Sequence, residues 1–175
     1  MKRPPLLVVF LAVCVIALAE TGGAAMSKLR PQIAQYTETR IRQAPQAHGL
    51  AGSAEYDVEV IAQTIFTIEA GLSFFHTHGE GMGIVVLLAS TIVASVVPWL
   101  PARGILHGLL GASAVFPIGY LAYSALVLGY GRDRGIELAE RYMLIPLGSA
   151  AIGALVLLGV ILLVRIVRGP RTGAA

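Results

Sequence analysis

The chain has 175 residues, of which 56% are hydrophobic and 13% charged, and a formal net charge of +3. Average soluble domains are about 45–50% apolar and about 25% charged, so this composition excludes an ordinary water-soluble globule and indicates a membrane protein. The basic residues are scattered or stand beside apolar runs, where they act as topology signals rather than as a phosphate-binding face, which excludes nucleic-acid binding.

At the N-terminus, Lys2 and Arg3 precede an apolar core from Leu6 to Ala19, and Ala17-Leu18-Ala19 stands before Glu20. Basic, apolar, then small-x-small is the layout of a secretory signal. The run falls short of the ~20 residues that cross a bilayer, which favours residues 1–19 as a removed signal peptide over a retained N-terminal anchor. Cys14 is the chain's one cysteine, so neither an intrachain disulfide nor a thiolate metal cluster can form.

Residues 20–54 are rich in Ala, Gln and Gly and hold Pro31 and Pro45. They lack the large apolar residues of a core, and the expectation is an exported flexible tether with a short helix around 32–42. From 55 to 75 the pattern changes. Val58, Ile61, Ile65, Ile68, Leu72 and Phe75 recur at three- and four-residue spacings, which predicts an exported amphipathic helix lying on the membrane or capping a bundle.

Three later runs are long enough to span: about 83–97, 104–128 and 143–167. The first extends back to near His76, with Phe74, Phe75 and Trp99 as interfacial aromatics. Pro98 and Pro101 bracket a tight turn that makes the first two spans a hairpin. The fold expected is an all-α integral membrane helical bundle over 76–168. It has three transmembrane helices after a signal peptide, or four if the N-terminal segment is retained, followed by a tail at 169–175.

Arg103 in the hairpin turn, and Arg165, Arg168 and Arg171 after the last span, stand without acidic neighbours. By the positive-inside rule both places are cytoplasmic, leaving 20–75 and 129–142 exported, as a signal peptide would also require. The expected location is the bacterial inner membrane, multi-pass, with the C-terminus in the cytoplasm. Small residues four apart, at Gly79/Gly83, Gly104/Gly108, Gly108/Ala112 and Ser149/Gly153, allow close helix approach in lipid.

One stretch, FFHTHGEGMG, puts His76, His78 and Glu80 at the head of a membrane helix. In a continuous helix His76 and Glu80 share a face at i, i+4, while His76 and His78 point roughly 200° apart. If Gly79 and Gly81 loosen the segment, both imidazoles can reach one ion. Such a metal site would be His76, His78 and Glu80, with Glu69, Glu137 or Glu140 as further carboxylates. The donors suit copper, zinc, iron or haem, and the carboxylate favours zinc or iron over cuprous copper. His107 is expected near the opposite surface, snorkelling beside Arg103.

No phosphate loop, HExxH, GxSxG or dinucleotide fingerprint occurs in the chain, so no independent catalytic activity is expected. Two functions stand: an accessory or structural subunit of a larger membrane complex, or homo-oligomer, with the lipid bilayer as its setting; and a metal- or haem-binding membrane protein using the His-x-His-x-Glu cluster.

Overall fold

The computed structural model describes residues 3–168, and these contain helices and no strands. Lys2, Arg171 and the tail at 169–175 lie outside the described residues. The helices are α1 (Leu6–Gln43), α2 (Ala54–Val96), α3 (Leu100–Val115), α4 (Ile118–Tyr130), α5 (Arg132–Ala139) and α6 (Ile145–Arg168), with a π-helical turn at Glu140–Leu144 joining the last two. Three helical stretches, Leu6–Gln43, Ala54–Val96 and Arg132–Arg168, are each long and apolar enough to cross a membrane, and α3 with α4 makes a fourth, bent by 41°. The protein is therefore an all-α membrane bundle in which consecutive long segments run up and down.

Two expectations are corrected by the continuity of the helices. The tether expected over 20–54 is helical as far as Gln43, in one piece with the first apolar run; only 44–53 is irregular. The amphipathic helix expected at 55–75 and the first span are a single helix of 43 residues. At 1.5 Å per residue that is about 64 Å, twice the ~30 Å hydrocarbon core. Roughly half of α2 must therefore stand beyond the bilayer along the bundle axis rather than lie on its surface.

The antiparallel α1–α2 register follows from size complementarity. A Cβ on Gly79 would collide with the Ala19 methyl, and one on Gly83 with Ile16. In the other direction, Gly22 and Gly23 on α1 make room for the rings of Phe75 and His76 on α2. Val8, Ala12, Val86, Ala89, Val93, Leu106, Leu110, Ala114, Ala154 and Leu158 then close a buried core shared by α1, α2, α3 and α6. Leu6, Phe10, Ile84, Leu88, Ile105, Ile152, Val156 and Leu163 remain exposed around it, as a lipid-facing belt requires.

Prolines account for the irregularities. Pro117 lacks the N–H that would continue α3, and the bend falls there. Pro146 likewise leaves its upstream carbonyl without a donor, and the five-residue π-helical turn lies directly before α6, with the Ile145 N–H reaching Glu140 O. At the Pro98 turn the last carbonyls of α2 are capped by guanidinium groups: Arg103 donates to Val97 O at 3.1 and 2.6 Å, and Arg165 donates to Val96 O.

The bundle thus has two chemically distinct ends. Arg3, Arg103, Arg165 and Arg168 gather around Trp99, whereas all ten acidic residues of the chain lie from Glu20 and Glu80 outward to the loop that holds His48. At that far end Gly131, with φ of 83°, turns α4 into α5. A side chain there would strike the Ala47 carbonyl, and Gly135 lets α5 fold flat against the backbone of Val127.

Candidate functional site

Helix continues through the His-x-His segment, and this decides where its side chains go. Gly79 does not loosen the chain; it is consumed in the contact with Ala19. His76 and His78 therefore point to different neighbours.

His76 faces α1. Its Nδ1 lies 3.0 Å from Ala19 O and 3.3 Å from Glu80 Oε1, one turn on. Glu20 completes the group: one ring nitrogen of His76 and one oxygen from each of Glu20 and Glu80 all lie within 4.8 Å of one another. His76 and Glu80 are about one-third exposed, at 33% and 38%, and Glu20 is exposed. The cluster opens outward at the level where the apolar part of α2 gives way to its polar extension.

His78 faces α4 and is corrected out of the proposed ligand set. Its ring lies 4.9 Å from that of Tyr120 and 5.8 Å from that of Phe116, with Phe74 at 5.9 Å, and its Nδ1 donates to Phe74 O at 3.0 Å. The imidazole thus sits in an aromatic box beside the bend at Pro117.

The further carboxylates also go elsewhere. Glu69 accepts from Arg30 at 2.8 Å, above an open groove of about 390 Å³ lined by Phe66, Ala70, Ser73, Met26 and Ser27. Glu137 pairs with Arg134 at 2.6 Å. Glu140 heads the π-helical turn and is exposed. None of the three joins Glu20, His76 and Glu80 in the metal-type grouping found among the described residues.

His107, expected to snorkel, is instead buried between α2 and α3, with its Nδ1 3.1 Å from Ser90 Oγ. Ser90 lies 14 residues along α2 from His76, about 21 Å at 1.5 Å per residue. A haem held between His76 and His107 does not fit that spacing.

Two further residues carry no local sequence signal. Glu20 stands at the start of the expected tether, yet it ends the first apolar run just as Glu80 begins the second, and an antiparallel pair of such runs brings their boundary residues level. His48 fastens the far loop by donating from Nε2 to Leu128 O at 3.1 Å. Burial there holds its pKa below the ordinary 6.5, against the opposing pull of that hydrogen bond.

No protein family, curated protein or solved structure matches the chain.

Proposed function

We propose that the chain is a small accessory subunit of a larger membrane assembly, docking through glycine positions on α3 and α6 against a transmembrane helix of its partner. The observation that carries this reading is a contrast between equal sequence patterns. Gly79 and Gly83 are filled by α1, whereas a Cβ at Gly104, Gly108 or Gly153 would meet nothing within 4 Å. In lipid there is little hydrophobic drive to bring helices together, and small residues at such spacing permit the close backbone approach that association needs.

In this reading the Trp99 end, with its four arginines and no acidic residue, faces the cytoplasm of a bacterial inner membrane. The polar extension of α1 and α2 is exported and offers Tyr36, Tyr56 and Phe66, each more than half exposed at 60%, 51% and 73%, as a second contact surface. No independent catalysis is assigned to the chain.

A photo-crosslinking residue placed at Gly108 in native membranes tests the reading, with the same residue at exposed Leu88 for comparison. One protein adduct of fixed mass from position 108 is expected, and a mass twice that of the chain would identify the partner as a second copy. Lipid adducts alone at both positions would end the proposal.

A further inference from the structure

The two carboxylates at the α1–α2 seam differ from the three that form ion pairs with arginine. Glu38, Glu69 and Glu137 each meet an arginine, at 2.8, 2.8 and 2.6 Å. Among the described residues, Glu20 and Glu80 converge with no lysine or arginine beside them, sharing only the imidazole of His76. Two carboxylates and one imidazole leave an excess of negative charge that a divalent cation would offset.

The imidazole is also held in place. Its Nδ1 lies 3.0 Å from the Ala19 carbonyl oxygen and 3.3 Å from the Glu80 carboxylate. The ring lies over Gly23, where any Cβ would occupy its place, so its position is shaped by α1 as well as by its own helix.

We propose that Glu20, His76 and Glu80 form a binding site for a divalent transition-metal ion of the zinc or ferrous type, which pins α1 to α2 at the membrane interface. One imidazole with two carboxylates matches the preference of these ions for mixed nitrogen and oxygen donors and disfavours cuprous copper, which prefers sulfur. Around zinc, bonds of about 2.0–2.2 Å put tetrahedral donors roughly 3.3–3.6 Å apart. The 4.8 Å grouping therefore closes on the ion by about 1 Å of side-chain adjustment, which two glutamates and a partly exposed ring can supply. Three protein ligands leave a coordination position open to water or to a group from outside.

Zinc chloride titrated into the chelator-stripped full chain in lipid nanodiscs, followed by calorimetry and thermal unfolding, tests the site. One ion per chain and a rise in Tm are expected for the native sequence. E20Q, H76N and E80Q should each weaken binding by about tenfold or more, since even loss of a residue that merely supports a ligand costs 10–100-fold. Their metal-free Tm should remain near the native value, which separates lost ligation from lost folding. H78N should bind as the native chain does. X-ray absorption of the bound ion should show imidazole and oxygen donors without sulfur. Absence of saturable zinc binding, native affinity in E20Q, or equal loss in H78N would each overturn the proposal.

Discussion

Between Trp99 and His76 the helices meet through glycine, alanine and interlocking aliphatic side chains, and hydroxyls such as those of Thr91 and Ser95 turn back to their own helix carbonyls. Between His76 and His48 the helices are tied by polar contacts: Arg30 to Glu69, Arg132 to Gln63, and Asp57 to the Ala51 and Gly52 amides. The difference follows from the solvent on each side. In hydrocarbon an unpaired polar group is costly and apolar attraction is weak, so shape decides; in water, apolar contact is reinforced by hydrogen bonds that also set register.

The largest test of this division concerns the first nineteen residues. The shortness of the run from Leu6 to Ala19 argues for its removal, but Val8, Ala12, Val15 and Ala19 are all buried in the bundle. Cleavage after Ala19 would take away the groups that fill Gly79 and Gly83 and most of α1's share of the core. The intact mass of protein extracted from its own membrane is expected to include residues before Glu20. A chain beginning at Glu20 would mean that another helix fills that groove.

Next in size is the contrast between filled and open glycines. Gly79→Leu should destabilise the bundle by about 1–3 kcal/mol or more, because the added side chain collides with Ala19 and its backbone. Gly104→Leu, facing open space, should leave stability nearly unchanged, within about 0.5 kcal/mol for a surface substitution. Unfolding in mixed micelles measures both, and equal effects would erase the distinction on which the docking reading stands.

This contrast also shows what the sequence could and could not convey. The three later spans and the hairpin at Pro98 are legible because apolar length and proline chemistry are local properties. Small-residue spacing showed where close approach is allowed, but Gly79/Gly83 and Gly104/Gly108 look alike, and only the fold reveals which pair is occupied. The helix from 20 to 43 extends well beyond the short one expected at 32–42, for a related reason. Its contribution to the seam is a set of holes at Gly22 and Gly23, while the rings that fill them belong to α2, so neither segment alone carries the pattern. At the site, the shared face of His76 and Glu80 followed from helical periodicity. The third member, Glu20, depended on a long-range register that no local spacing encodes.

Inside the membrane half, the Ser90–His107 hydrogen bond is the polar exception. Ser90→Ala should cost about 0.6–2 kcal/mol, the range found for hydrogen bonds between membrane helices, because it strips the partner from a buried imidazole. His107→Leu in the same background should recover part of that loss by removing the orphaned polar ring. If the double variant is less stable than Ser90→Ala alone, the pair is not acting as an isolated hydrogen bond.

In the polar half, His48 makes the far loop sensitive to pH. Its folded pKa lies below the unfolded value near 6.5, so the unfolded chain takes up a proton first. Stability is therefore fully present above pH 6.5 and declines as pH falls below that value through the lowered folded pKa. Hydrogen exchange at Leu50 and Gly131 should accelerate on acidification, and His48→Gln should flatten that dependence. An unchanged slope in the variant would assign the titration to another group.

The smallest expected effect belongs to Arg30 and Glu69. Their contact is bidentate, at 3.4 and 2.8 Å, and the hydrogen bond and charge of Glu69 raise the Arg30 pKa. Yet the Arg30 side chain is 72% exposed, so water and salt screen the attraction. Exchanging the two residues, Arg30→Glu with Glu69→Arg, should restore most of whatever either single change loses, and the coupling should fade at high ionic strength. Coupling that survives in molar salt would mean that the groove between α1 and α2 is drier than its openness indicates. The boundary between the shape-driven and polar halves would then lie further from Trp99 than His76.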